Sequence, residues 1–112
     1  MSGYDIIGDV HGHAFLLERL LSKLGYKQNE DSFFHPNGRK IVFLGDLINR
    51  GPDSDKVLNI VQKMVSQKQA YCVLGNHEFR LLQKFVNDPA LIESKFLSFI
   101  PWIQTLPFFL EF

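Results

Sequence analysis

The sequence predicts an α/β fold in which a mostly parallel sheet is flanked by helices. Three short apolar runs, each ended by Gly and a polar residue, predict buried strands at residues 4–7, 41–44 and 71–74. Amphipathic patterns with helical spacing lie between these runs. A strand–helix–strand–helix–strand order joins its strands by right-handed crossovers and makes the sheet parallel.

The composition is that of one globular domain. The chain has 112 residues, of which 46% are hydrophobic and 21% are charged. Twelve basic and twelve acidic residues cancel, which argues against a protein that binds nucleic acid by bulk charge. The single cysteine, Cys72, excludes an internal disulfide and a CxxC zinc pair, and its place in a strand suggests a core residue. No membrane span or signal peptide is recognisable, so the expected location is the cytosol.

The helices follow from apolar residues repeated at helical spacing. A leucine stripe ended by Gly25 predicts a first helix over 13–24, with the glycine as its C-cap. Similar stripes predict helices over 53–68 and 77–87, and partly helical structure over 90–105.

Two further strand pairings are expected from local signals. The turn sequence Pro-Asn-Gly at 36–38 predicts a hairpin between residues 33–34 and the strand at 41–44. The apolar residues 108–112 predict a fourth strand.

Polar side chains follow the three internal strands where each strand ends. Asp9, Asp46 and Asn76 each come directly after a strand-ending glycine. Because the carboxyl ends of parallel strands lie at one edge of a sheet, we expect these side chains to converge. Two carboxylates and an amide oxygen repel each other unless a cation lies between them. His11 and His77 add imidazoles, and this donor set suits Mn, Fe or Zn.

Each of these residues also has an ordinary structural interpretation. An Asp or Asn after a strand is as readily a helix N-cap as a ligand. His13 stands at a predicted helix start, where a capping or solvated role is expected, and His35 is expected to be exposed in a polar loop.

Three motifs in order along the chain are more specific than their parts. They are Gly-Asp-Val-His-Gly at 8–12, Gly-Asp-Leu-Ile-Asn-Arg-Gly-Pro at 45–52 and Gly-Asn-His-Glu at 75–78. The set resembles the calcineurin-like metallophosphoesterase superfamily, over about residues 4–86. Within it, the set is similar to the group of phosphoprotein phosphatases and diadenosine tetraphosphate hydrolases.

The resemblance implies a centre of two divalent metal ions, with Mn as the first candidate and Fe or Zn as alternatives. By that resemblance Asp9 and His11 bind one metal, Asp46 bridges both, and Asn76 binds the second. A hydroxide shared by the two cations then attacks phosphorus in line.

The resemblance also assigns catalytic roles. Arg50 holds the substrate phosphate and His77 protonates the leaving oxygen. The family usually has Asp where this chain has Asn49, the residue that orients the motif histidine. Asn49 is still able to accept a hydrogen bond, but it brings no charge to stabilise an imidazolium at His77, so reduced activity is expected.

A second departure concerns the missing histidines. The family takes two further histidine ligands from its second half, and no histidine follows His77 here. We therefore expect 1–112 to be one truncated domain, the N-terminal half of a metallophosphoesterase-type β-sandwich. Such a chain is expected to bind metal weakly and to self-associate through an unpaired apolar edge at 108–112.

Two functions from different classes follow. The first is a metal-dependent phosphoester hydrolase acting on a phosphoprotein or a nucleotide, without a membrane or bulk nucleic-acid partner. The alternative is a non-catalytic remnant that binds phosphate or a protein, which Asn49 and the missing histidines favour. A generic nucleotide-binding module carries little weight, because no GxGxxG or GxxxxGKS/T loop is present.

Overall fold

The structure is a computed structural model that describes residues 3–8, 10–30, 32–49 and 51–108. Helices separate the three strands that the sequence predicts, and a short pair of strands and further short helices are added to this pattern. In order they are β1 (Tyr4–Ile7), α1 (Ala14–Lys23), β2 (Lys27–Asn29), β3 (Ser32–Phe34), β4 (Lys40–Phe43), α2 (Ser54–Ser66), β5 (Ala70–Cys72), α3 (Asn76–Asn87), a 3-10 turn (Pro89–Leu91), α4 (Ser94–Leu97) and α5 (Ile100–Ile103).

The main sheet is parallel and has the strand order β1-β4-β5. In its register Ile7 lies beside Phe43, and Phe43 lies beside Cys72. All three strands therefore end at the same edge of the sheet. The expected α/β class and parallel pairing are confirmed.

The core lies where one face of this sheet meets the helices. Alternate strand residues such as Ile7, Phe43 and Cys72 are buried together with the apolar stripes of α1 and α2. Each fully buried aliphatic or aromatic side chain contributes roughly 1.5–3 kcal/mol. Cys72 is a core residue, as its place in a strand suggests.

The end of α1 is set by the glycine that the sequence singled out. Gly25 has a φ of +93°, which a side chain disfavours. Its N–H donates to the carbonyl of Ser22 (3.1 Å), and the N–H of Tyr26 donates to that of Leu21 (2.9 Å). His35 lies against this turn, half-buried, with Nε2 3.2 Å from the carbonyl oxygen of Leu24. The expectation that His35 is simply exposed is wrong.

The expected hairpin between residues 33–34 and 41–44 is also wrong. β3 pairs instead with β2 in a separate antiparallel ribbon, where Asn29 lies beside Ser32. The reason is that β4 is the central strand of the main sheet. Both of its edges are bonded to β1 and β5, so neither remains for β3.

The C-terminal segment is partly helical, as predicted. After α5 the chain returns toward β5, and the N–H of Leu74 donates to the carbonyl of Pro107 (2.7 Å). The expected strand at 108–112 falls outside the described residues except for Phe108, which belongs to no strand. Across the described ranges, none of the helices is long and apolar enough to cross a membrane.

Candidate metal and phosphate site

The loops after β1, β4 and β5 bring several of the predicted residues together. The ring centroids of His11 and His77 are 4.8 Å apart. Oδ1 of Asp46 accepts the backbone N–H of His77 at 3.1 Å. Asn76 is the first residue of α3, adjacent to His77 and exposed to solvent. The structure therefore brings His11, Asp46 and His77 close together, while the convergence of the Asp9, Asp46 and Asn76 side chains stays a prediction.

Two predicted residues, Asp9 and Arg50, lie outside the described residues. Their proposed roles in metal and phosphate binding rest on the motif positions alone.

The backbones of two of these loops are bonded directly to each other. The N–H of His11 donates to the carbonyl of Asp46 (2.9 Å), and that of Gly12 donates to the carbonyl of Leu47 (2.7 Å). The N–H of Gly51 donates back to the carbonyl of His11 (2.6 Å). A Cβ at Gly51 would lie 2.5 Å from the backbone of Gly12, so the contact requires glycine. The motif glycines thus let the loops approach closely.

Three candidate site residues adopt left-handed backbone conformations. The φ angles are +46° at His11, +53° at Asp46 and +71° at Asn49. Each such non-glycine residue costs about 1–3 kcal/mol and persists only where the surroundings impose it. Three of the five non-glycine residues with positive φ that the structure describes lie here, and such residues cluster at functional sites, which supports this edge as the candidate site.

The imidazole of His11 is held in one tautomer. Its Nδ1 lies 3.2 Å from the carbonyl oxygen of Ile48. Because a carbonyl only accepts, Nδ1 carries the proton and the lone pair lies on Nε2. Histidines that bind metals usually donate their other ring N–H in this way.

The donor chemistry of the site fits a divalent cation. His11 offers an imidazole, Asp46 a carboxylate and Asn76 an amide, a mixture that suits Mn, Fe or Zn. Within the described ranges, no three His, Cys, Asp or Glu side chains form a metal-binding group by themselves. The remaining carboxylate of the motif, Asp9, lies outside those ranges.

The side chain of Asn49 contacts the second histidine. Its Nδ2 lies 2.8 Å from Nδ1 of His77. An amide nitrogen donates, so Nδ1 of His77 accepts and the ring proton lies on Nε2. The sequence analysis expected Asn49 to accept this hydrogen bond, and the structure places it as the donor. The backbone N–H of Asn49 donates to Oγ of Ser54 (3.0 Å).

The capping interpretation does not hold for two of the strand-end residues. Asp46 precedes no helix directly, because α2 begins at Ser54 after Asp53. Asn76 is already helical, and Gly75 occupies the N-cap position. Neither residue is the N-cap of the helix that follows its own strand, but Oδ1 of Asp46 accepts the N–H of His77 in the first turn of α3.

The sequence analysis assigned no role to Glu78, which is buried beneath the loop after β4. Its carboxylate accepts the backbone N–H groups of Asp46 and Leu47 at 2.7 and 2.8 Å. Burial raises the pKa of this carboxyl, and the N–H groups of Leu47 and Asp46 oppose that shift. The available signal was a Glu three residues after Gly75 at a helix start, a partial capping-box pattern.

Comparisons with known proteins show the family of this chain. A family profile described as calcineurin-like phosphoesterase matches residues 4–110. The chain belongs to the calcineurin-like phosphoesterase family. Members of this family generally depend on a dinuclear metal centre.

Bacterial relatives of this chain carry a more specific name. The chain is 51% identical over 87 residues to the asymmetrical bis(5'-nucleosyl)-tetraphosphatase PrpE of Oceanobacillus iheyensis, covering 78% of this chain and 35% of the relative. It is 38% identical over 105 residues to the PrpE of Bacillus cereus strain Q1, covering 93% of this chain and 43% of the relative.

A solved structure of this phosphoesterase class is also similar. The crystal structure of a candidate diadenosine tetraphosphatase superposes with a TM-score of 0.57 at 35% identity. The match covers 93% of this chain and 37% of that chain. The chain thus spans between a third and under half the length of the relatives described here.

Proposed function

We propose that this chain carries the metal- and phosphate-binding motifs of a phosphoester hydrolase whose substrate is a dinucleoside polyphosphate. The observation that carries the proposal is the meeting of His11, Asp46, Asn49 and His77 at one edge of the sheet. The names of the relatives favour a nucleotide over a phosphoprotein as substrate.

The metal ligands follow from the donor chemistry and the motif positions. Asp9 and His11 would hold one divalent cation, Asp46 would bridge two, and Asn76 would complete the second. When bound, the cations supply Lewis acidity and neutralise charge on the phosphate. The orientation of His11, with Nδ1–H toward the carbonyl of Ile48, directs its Nε2 lone pair to this role.

The remaining residues act on the substrate. The guanidinium of Arg50 would bind phosphate oxygens in a forked geometry. With Nδ1 accepting from Asn49 the ring of His77 carries one proton, so donation from Nε2 to the leaving oxygen first requires protonation at Nδ1, whose N–H would then donate to Oδ1 of Asn49. This contact orients the ring but supplies no negative charge to stabilise an imidazolium, so proton transfer is expected to be slow.

The test is hydrolysis of diadenosine tetraphosphate and of p-nitrophenyl phosphate by this chain with added Mn²⁺. The Asp46→Asn variant should lower turnover by about 100-fold or more, because a bridging carboxylate contributes several kcal/mol. Asp88→Asn is the matched control, since it removes one exposed carboxylate after α3 and should leave turnover unchanged. Equal turnover in wild type and Asp46→Asn would contradict the proposal.

A non-catalytic role is the second candidate, favoured by Asn49 at the position of the usual Asp. In that case the chain binds phosphate or metal weakly and shows no turnover above the Asp46→Asn background. Tight binding of two Mn²⁺ ions by a monomer, measured by calorimetry, would contradict this second candidate.

A further inference from the structure

A buried carboxylate lies directly beneath the loop that carries Asp46. The side chain of Glu78 is 0% exposed, although it belongs to the first turn of α3. Burying a charged group is unfavourable unless hydrogen bonds replace its water. The contacts of this group therefore indicate what it does.

Backbone donors surround both oxygens of Glu78. Oε1 accepts the N–H groups of Asp46 (2.7 Å) and Gly75 (3.2 Å). Oε2 accepts those of Leu47 (2.8 Å) and Ile48 (3.4 Å). These partners are all donors, so the site requires a side chain that only accepts, as an ionised carboxylate does.

The carbonyl groups of the same three loop residues are bonded on the other side. Those of Asp46 and Leu47 accept the N–H groups of His11 and Gly12 at 2.9 and 2.7 Å. That of Ile48 lies 3.2 Å from Nδ1 of His11. The loop therefore links the buried carboxylate, through its peptide groups, to the orientation of the imidazole.

We propose that Glu78 is a positioning residue that holds Asp46 and, through the carbonyl of Ile48, the ring of His11 in the geometry for binding a divalent cation. This role rests on the proposed function, because the cation is the ligand of that site. Glu78 itself lies beneath the loop and acts through other residues. An isosteric amide in its place would turn two N–H donors toward backbone N–H groups.

The first test is the imidazole of His11 without metal, compared between wild type and Glu78→Gln by ¹⁵N NMR. Wild type should show the Nδ1–H tautomer, and the variant should lose that preference. Glu93→Gln is the matched control, since Glu93 is exposed and its carboxylate lies 3.8 Å from Nζ of Lys95. An unchanged His11 tautomer in folded Glu78→Gln would overturn the proposal.

The second test is Mn²⁺ affinity by calorimetry. Glu78→Gln should bind about 10- to 100-fold more weakly than wild type, the usual effect of removing a group that orients a metal ligand. Equal affinity would overturn the positioning role. Wild type that binds no Mn²⁺ would instead contradict the proposed function, while the metal-free tautomer measurement still decides the role of Glu78.

A measurement on wild type alone covers the case in which Glu78→Gln fails to fold. Amide hydrogen exchange at Asp46, Leu47 and Ile48 should be slow, as expected for N–H groups bonded to a buried acceptor. Exchange at the intrinsic rate of an unprotected amide would show that the carboxylate does not hold the loop, and the proposal would be wrong.

Discussion

Acidic residues at the two ends of the parallel sheet have different hydrogen-bond partners. At the amino end, the carboxylate of Asp5 accepts two hydrogen bonds from the guanidinium of Arg39 (2.8 and 3.0 Å) and one from the hydroxyl of Tyr26 (2.9 Å). At the carboxyl end, the carboxylate of Asp46 accepts a backbone N–H from His77. The carboxylate of Asp5 is neutralised by the guanidinium of Arg39, whereas the carboxylate of Asp46 accepts from an uncharged backbone N–H.

The backbone conformation also differs between the two ends of the sheet. Asp5 lies in a regular strand, whereas Asp46 and its neighbours His11 and Asn49 occupy left-handed conformations. Polar residues that satisfy one another in regular structure stabilise the fold. Polar residues held in strained loops at a strand end are the ones expected to act on a ligand.

The largest expected effect on the free energy of unfolding comes from adding a side chain at Gly45, at the carboxyl end of the sheet. Gly45 has a φ of +88°, and an added Cβ would collide with the backbone of Gly75. Gly45→Ala should lower the free energy of unfolding by about 2–4 kcal/mol, from the left-handed penalty plus overpacking. Gly38→Ala is the control, because this exposed glycine has a similar φ of +76° and should cost about 1–2 kcal/mol.

Urea denaturation measures both values, and Mn²⁺-dependent turnover should be lost only in Gly45→Ala. Equal losses of stability in the two variants would show that the close approach of the two loops is unimportant.

A smaller effect is expected from restoring charge beside His77. Asn49→Asp gives His77 a carboxylate partner, which accepts a hydrogen bond from Nδ1–H and stabilises the imidazolium. Turnover of p-nitrophenyl phosphate should rise by about 10-fold, equivalent to roughly 1.4 kcal/mol in the barrier. Asn37→Asp, in an exposed turn, is the matched control. Unchanged turnover in Asn49→Asp would remove His77 from the role of general acid.

The smallest effect is expected at the amino end, and it depends on pH. Hydrogen bonds from Arg39 hold the pKa of Asp5 below its usual value. This carboxylate therefore stabilises the fold above about pH 4, the pKa of an unfolded aspartate, and the stabilisation is lost as the pH falls through the lowered pKa.

Asp5→Asn should lower the free energy of unfolding by about 1 kcal/mol at pH 7 and make the urea midpoint less sensitive to acid. Mn²⁺ affinity should not change. A variant that loses Mn²⁺ affinity while keeping its stability would contradict the division between the two ends.

Much of the difference between the two ends of the sheet could be predicted from local sequence patterns. Runs such as 41–44 have the length and polarity of a buried strand, and Gly45-Asp46 marks where that strand stops. Parallel pairing then implies that the strand ends meet. The close approach of His11, Asp46 and His77 at this edge was therefore predictable.

Other features depend on partners distant in the sequence. The role of Glu78 was not evident, because its donors at 46–48 lie about thirty residues away. Asn49 has a left-handed φ of +71°, a conformation that asparagine tolerates better than most residues but that its type alone does not predict. The turn at 36–38 suggested a hairpin, but β4 was already paired on both edges.

The most direct test of the central claim, that the carboxyl end is the metal site, is titration of the ¹⁵N-labelled chain with Mn²⁺. Paramagnetic broadening should first remove the amide signals of His11, Asp46 and His77, while those of Asp5 and Arg39 persist. Broadening that begins at Asp5 and Arg39, or that spreads evenly over the chain, would contradict the account.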